Sequence, residues 1–201
     1  LFQGDMSESR RLMVRRYLGV GEGQTAVLYA PTWRDDKKSS SGHYAQTLYL
    51  DYGQFDRKYG KNVVILQRGH VNTAFARTGN YPANVVDVNL YPDINDLYLA
   101  SDILVTDYSS AMFDYIVTGK PIIYLAPDLS RYRDVTRGFY FDFERIAPGP
   151  IVSTTQKVID AIESVAEVQH EYSQNYERFL VKFAPLDDGF AGERVGARIF
   201  G

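Results

Sequence analysis

The sequence contains no cysteine among its 201 residues, which excludes a disulfide scaffold, a thiolate metal site and a cysteine nucleophile. No apolar run approaches the roughly 20 residues needed to span a bilayer. Neither sign of charge dominates: 22 Lys and Arg stand against 25 Asp and Glu, a formal net charge of -3. That balance gives no bulk attraction to nucleic acid, and no nucleic-acid partner is expected. There is no G-x-x-x-x-G-K-[ST] loop, no G-x-G-x-x-G fingerprint and no G-x-S-x-G elbow, so the common nucleotide and hydrolase motifs are missing. What remains is ordinary globular composition, 45% hydrophobic and 23% charged, enough for one α/β domain with a sizeable core. Sixteen tyrosines are many for this length and suit a ligand or partner surface.

Leu1-Phe2-Gln3-Gly4 reads as the remnant of a cleavable tag, so residues 1–5 are set apart from fold reasoning. Residues 6–201 are then expected to form one domain, a fragment of something longer. Ser7 to about Leu18 has a helical pattern with Leu12, Met13 and Tyr17 as its apolar positions. Its Arg10, Arg11, Arg15 and Arg16 form either a solvated face or a phosphate- or lipid-facing patch. Asp35 to Gly42 is polar and Ser-rich, a loop pattern.

Beyond it, short apolar runs alternate with helical segments. The runs are Ala26–Ala30, Val63–Leu66, Asn84–Val88, Ile103–Thr106 and Pro121–Leu125. Asp51 to Tyr59, Asp93 to Ala100 and Ser110 to Val117 read as helices between them, and Thr155 to Val168 and Glu171 to Phe183 as amphipathic helices that close the domain. Continuous apolar strands separated by helices predict an α/β, Rossmann-like parallel sheet with helices on both faces. Ile103–Thr106 should be central, with Val63–Leu66 nearby.

Ligands of open parallel sheets bind at the carboxyl ends of the strands. The segments just past those ends are Pro31-Thr32-Trp33-Arg34, Gln67-Arg68-Gly69-His70, Asn89 to Asp93, and Asp107-Tyr108-Ser109-Ser110. Ser109 or Ser110 suits a helix cap, and the same helix start offers backbone N–H groups to a phosphate. Asp114 lies one turn beyond Ser110 on the same face; it is either a partner of the helix dipole or an acceptor for ribose hydroxyls. His70 and Arg34 share the rim, and two such groups above a helix start suit a diphosphate. His43 and His170 read as surface residues, Asp35-Asp36 as solvated, and Asp107 and Asp114 lack a third ligand at metal spacing. No metal site and no cofactor is assigned.

Several blocks together resemble the CDP-glycerol glycerophosphotransferase family of teichoic-acid and capsule polymerases. They are Tyr29-Ala30-Pro31-Thr32-Trp33-Arg34, Arg68-Gly69-His70, Asp93 to Tyr98, Ser101 to Tyr115, Arg137-Gly138-Phe139-Tyr140-Phe141-Asp142 and Pro148-Gly149-Pro150-Ile151. The resemblance covers about residues 27 to 152. Gly69 departs from it, since a larger residue is expected before the histidine. The resemblance implies a bacterial GT-B enzyme of two Rossmann-like domains, of which this chain is the C-terminal, nucleotide-binding half. The N-terminal GT-B domain, bearing a further histidine as base, would be the missing partner.

The implied donor is CDP-glycerol or a related CDP-polyol, and the implied acceptor a lipid-linked or growing polymer whose hydroxyl attacks the β-phosphorus and releases CMP. The implied catalytic residues are His70 and Arg34, on the diphosphate and leaving CMP. Ser109 and Ser110 are expected at the phosphates, Asp114 at the ribose, Asn89, Pro92 and Ile94 at the cytosine, and Thr32 and Asp107 among the substrate-binding residues. The implied location is cytoplasmic, peripheral on the inner face of the membrane, with the isolated half inactive. Two other readings of the same rim stay open: the donor half of a UDP-sugar GT-B glycosyltransferase or epimerase, and a non-catalytic nucleotide-binding module.

Overall fold

In the computed structural model, residues 5–32, 48–69 and 81–201 are described. Six strands, β1 (Thr25–Tyr29), β2 (Val63–Gln67), β3 (Val85–Asp87), β4 (Ile103–Thr106), β5 (Ile122–Leu125) and β6 (Ile151–Val152), form one sheet. Every pairing is parallel, in the order β3-β2-β1-β4-β5-β6. β4 is central, as its four apolar and β-branched residues predict, and β2 stands two strands away on the other side of β1.

Alternation along each strand splits the core into two layers. Ala26, Leu28, Val64, Leu66, Leu104 and Tyr124 face one side. There they meet α1 (Asp5–Tyr17), α3 (Ile94–Ala100), α4 (Ala111–Tyr115) and α8 (Val165–Phe183) through Val14, Leu97, Met112 and Phe179. Val27, Tyr29, Ile65, Val105, Ile123 and Leu125 face the other side, against α2 (Tyr52–Tyr59) and α7 (Thr155–Glu163) through Phe55, Val158 and Ile159. The inner strands β1, β2, β4 and β5, so covered, have no solvated face, which is why they read as continuous apolar runs.

Local chemistry sets the helix ends. The Asp51, Asp93 and Thr154 side chains accept the amides of Gln54, Asn95 and Lys157 at 3.1, 2.9 and 3.3 Å, the usual N-cap arrangement. After α4 a 3-10 turn, Ile116–Thr118, ends at Gly119, whose φ of 72° favours glycine. Gly149 is required for space: a Cβ there would lie 1.8 Å from the Ile122 carbonyl oxygen, so β6 enters the sheet only without a side chain at that point.

Four findings differ from the sequence reading. In α1 the buried apolar residue is Val14, with Leu18 beyond its end, whereas Leu12, Met13 and Tyr17 are exposed. Its arginines are neither a solvated face nor an anion patch as a set. Arg15 is buried and donates to the Ala100 carbonyl at 2.8 Å and to Asp102 at 2.9 Å, while Arg11 reaches Asp102 at 3.0 Å. The two closing helices meet at Ser164 rather than near Gln169. Three further helices, α5 (Leu129–Arg131), α6 (Phe143–Ile146) and α9 (Ala191–Phe200), were not anticipated, nor was the π turn Tyr132–Thr136 that continues α5.

Candidate functional site

The strand order reverses at β1: the chain runs outward from it to β2 and β3, then returns to lay β4 on its other edge. The loops that leave β1 and β4 therefore diverge and open a crevice at the carboxyl ends, the place where doubly wound sheets take ligands. A groove of about 530 Å³ occupies it. Ala30, Pro31 and Thr32 form the wall after β1, and Arg68 and Gly69 the wall after β2. Ser109, Ser110, Ala111 and Asp114 form the wall after β4, with Ile94 and Tyr98 of α3 beside them and Tyr108, Tyr132 and Arg137 closing the far side.

One buried carboxylate holds the two principal walls together. Asp107 is 1% exposed, and its Oδ1 accepts the Thr32 amide at 2.8 Å and the Tyr108 amide at 2.6 Å. The Thr106 hydroxyl adds a bond to the Ala30 carbonyl at 2.7 Å. Tyr108, fixed by the carboxylate, stacks on Tyr132 with centroids 3.9 Å apart and donates its hydroxyl to Asp128 at 3.1 Å. Five-residue α4 then begins with Ser110 exposed at its start and the Ser109 hydroxyl accepting the Ala111 amide at 3.3 Å.

The remaining groups are tuned by burial. Arg68 spends one nitrogen, Nη1, on the carbonyls of Val88, Asn89 and Tyr91 at 2.6, 3.0 and 2.7 Å. Desolvation lowers its pKa from the ordinary guanidinium value, against a weaker opposing effect of Tyr98. Burial raises the Asp114 carboxyl above its ordinary value, and the nearby carboxylate of Asp187 adds to the rise. The Asp114 charge in turn adds to the effect of burial on Tyr98, whose hydroxyl is held well above its usual pKa.

The expected site residues divide into three sets. Thr32, Ile94, Ser109, Ser110 and Asp114 come together in the groove wall. Asn89, Pro92 and Asp107 do not line it: Asn89 accepts the Gly69 amide with its side chain, Pro92 is exposed, and Asp107 lies beneath the walls it ties. Arg34 and His70 lie outside the described residues, as does His43. Arg68, Tyr98, Tyr132 and Arg137 were not anticipated in the wall. Arg137 carried a signal, since it opens the Arg-Gly-Phe-Tyr block and precedes Gly138, whose φ is 70°.

The sequence model of the CDP-Glycerol:Poly(glycerophosphate) glycerophosphotransferase family matches residues 3–201. The chain belongs to that family. Among glycerophosphotransferase relatives, the teichoic acid glycerol-phosphate transferase of Staphylococcus aureus (strain NCTC 8325 / PS 47) is 40% identical over 187 residues, 93% of this chain and 48% of that protein. The teichoic acid poly(glycerol phosphate) polymerase of Bacillus subtilis (strain 168) is 36% identical over 197 residues, 98% of this chain and 26% of that protein. The solved wall teichoic acid polymerase TagF superposes with a TM-score of 0.85 at 33% identity, covering 96% of this chain and 47% of TagF. A TagF variant soaked with CDPG superposes with a TM-score of 0.78 at 31% identity, covering 96% of this chain and 45% of that one. The chain thus spans between about a quarter and a half of the length of these glycerophosphotransferases. The Rossmann-like architecture that the family resemblance implied is the one the chain adopts. Among the described residues, no helix is long and apolar enough to cross a membrane.

Proposed function

We propose that the groove at the β1/β4 switch point binds the cytidine diphosphate part of a CDP-linked polyol, and that the chain is the donor-binding half of a glycerophosphotransferase. The observation that carries this reading is the coincidence of family and place. A family whose members include a structure soaked with CDPG here presents Ser109, Ser110 and Asp114 in the crevice where such sheets take nucleotides.

In the reaction, an acceptor hydroxyl attacks the β-phosphorus of the donor. The new oxygen–phosphorus bond forms as the bond to the bridging oxygen breaks, and CMP leaves with that electron pair. The hydroxyl proton passes to a base, which we place on the second domain of the longer protein. Charge spreads over the phosphoryl oxygens in the transition state, so cationic and N–H donors contribute most. Ser109 and Ser110 serve the phosphates at the start of α4, Asp114 accepts from the ribose, and Arg34 and His70 keep their proposed place on the diphosphate and leaving CMP. Thr32 belongs to the phosphate wall, and Ile94 packs beside the base. Asp107 acts beneath them, through Thr32 and Tyr108. The acceptor is a lipid-linked or polymeric polyol phosphate, met by the whole enzyme at the inner membrane face.

CMP release by the longer protein, supplied with CDP-glycerol, CDP-ribitol and a lipid-linked acceptor, tests this reading. Release that depends on a CDP-polyol and on the acceptor, and that falls by orders of magnitude in Arg34→Ala and His70→Ala, is expected. Unchanged release in both variants would remove their role, and release from a UDP-sugar instead would replace the donor.

A further inference from the structure

Arg68, the first residue past β2, stands in the groove wall with one nitrogen fully engaged. Its Nη1 donates to the carbonyls of Val88, Asn89 and Tyr91 at 2.6, 3.0 and 2.7 Å and so holds the loop that follows β3. Among the described residues, no acceptor meets its Nε or Nη2, and no carboxylate pairs with its charge.

Holding a loop by its carbonyls does not call for arginine. Just before β5, the Lys120 Nζ donates to the carbonyls of Tyr98, Leu99 and Ser101 at 2.9, 2.9 and 2.6 Å, so in this fold one ammonium is enough for three converging carbonyls. An arginine brings a second edge, on which the Nε and Nη2 hydrogens lie side by side in one plane. What such an edge takes is seen at Arg10. Its Nε and Nη2 meet Oδ1 and Oδ2 of Asp96, in the first turn of α3, at 2.7 and 2.6 Å. Two oxygens on one anionic centre are the partner that the fork fits.

Arg10 finds its acid within the chain, and Arg68 does not. Among the described residues of the groove wall Asp114 alone is acidic, and it makes no bond with Arg68. Its carboxyl is raised by burial and by Asp187, not lowered by a neighbouring cation. A partly buried guanidinium without a counter-charge carries a desolvation cost, which is the cause of the lowered pKa of Arg68. An anion entering the groove offsets that cost.

We propose that Arg68 is a substrate-contacting residue: its Nε–Nη2 edge takes two oxygens of one phosphoryl group of the donor, while the carbonyls beyond β3 hold Nη1 and so aim that edge. This rests on the groove being a nucleotide site. The fork is anchored before the ligand arrives, so little side-chain freedom is lost on binding. Such a contact adds affinity for the phosphoryl group and does not choose the base.

Titration of the chain, Arg68→Lys and Arg68→Met with CDP, with inorganic pyrophosphate as competitor and melting temperatures in parallel, tests the proposal. Arg68→Lys keeps an ammonium for the three carbonyls but has no second edge. Its CDP dissociation constant should rise at least about tenfold, competition by pyrophosphate should weaken to match, and its melting temperature should stay within about 2 °C of the unaltered chain. Arg68→Met loses the anchor as well and should both bind weakly and melt earlier. Native CDP affinity in Arg68→Lys would overturn the contact and leave the nucleotide reading standing. Weakened CDP binding with pyrophosphate competing as strongly as before would also overturn it, because the lost contact would not be to a phosphoryl group. A lysine variant that melts as early as Arg68→Met would show that the loop itself requires arginine, and the second edge would lose its ground. No binding of CDP by the unaltered chain would overturn the nucleotide reading, and with it the contact.

Discussion

Oδ1 of Asp107 accepts the backbone amide of Thr32 at 2.8 Å, so the loop leaving β1 and the loop leaving β4 share one carboxylate at the point where they diverge. The crevice owes its shape to that bond and to the second one, from the Tyr108 amide at 2.6 Å.

Asp107→Ala should therefore cost about 2–4 kcal/mol in denaturant unfolding, because a buried amide and a partly buried one lose a charged acceptor. Asp107→Asn keeps an acceptor oxygen and should cost less. Both should weaken nucleotide binding although Asp107 does not line the groove. Wild-type stability in the alanine variant would show that the walls stand without the bond.

Arg15 makes a similar connection at the other end of α3. It is buried, and it reaches the Ala100 carbonyl and Asp102. Arg15→Met leaves Asp102 with its bonds from the Ala26 amide and Arg11, so about 2–3 kcal/mol should be lost rather than the larger penalty of a stranded charge. Arg16→Met, on the exposed side of the same helix, should change stability by less than about 0.5 kcal/mol. Equal effects in urea titrations would contradict the ion-pair account of α1.

Asp96 gives the fold a pH dependence with a definite sign. The Arg10 hydrogen bonds hold its carboxyl below the ordinary value; burial pushes the other way and is outweighed, with Tyr91 assisting Arg10. A carboxyl lowered in the folded state contributes stability above its unfolded pKa and loses it as pH falls through the folded one. The melting-temperature gap between the chain and Asp96→Asn should be full near neutral pH and begin to close below about pH 4. A gap that stays constant through that range would mean that Asp96 contributes by shape alone.

Strands β1, β2, β4 and β5 were legible because each is buried on both faces and so reads as an apolar run. Ile103–Thr106 is the clearest case, its bounds coinciding with β4. The face of α1 was not legible, since the residues that dock it are arginines whose acids, Asp96 and Asp102, lie more than 80 positions away. The junction at Ser164 was hidden for a different reason. Apolar residues continue across it at Ile162, Val165 and Val168, with no Pro or Gly to mark a break. The place of Ser109, Ser110 and Asp114 in the groove wall was legible from their spacing after a strand. Asp107 was read as a ligand contact because position after a strand end does not tell a side chain facing the groove from one folded beneath it. Arg68 was passed over beside His70, since nothing local shows that three carbonyls from the next loop converge on it.

The nucleotide reading is tested most directly by calorimetric titration of the chain with CDP, UDP and inorganic phosphate, alongside Asp114→Asn. CDP should bind at least about tenfold more tightly than UDP. Asp114→Asn should weaken CDP while leaving phosphate unchanged or slightly tighter, because the carboxylate serves the ribose and the start of α4 serves the anion. Equal affinities for CDP and UDP, or no measurable binding of CDP, would contradict the assignment of the groove to a cytidine donor.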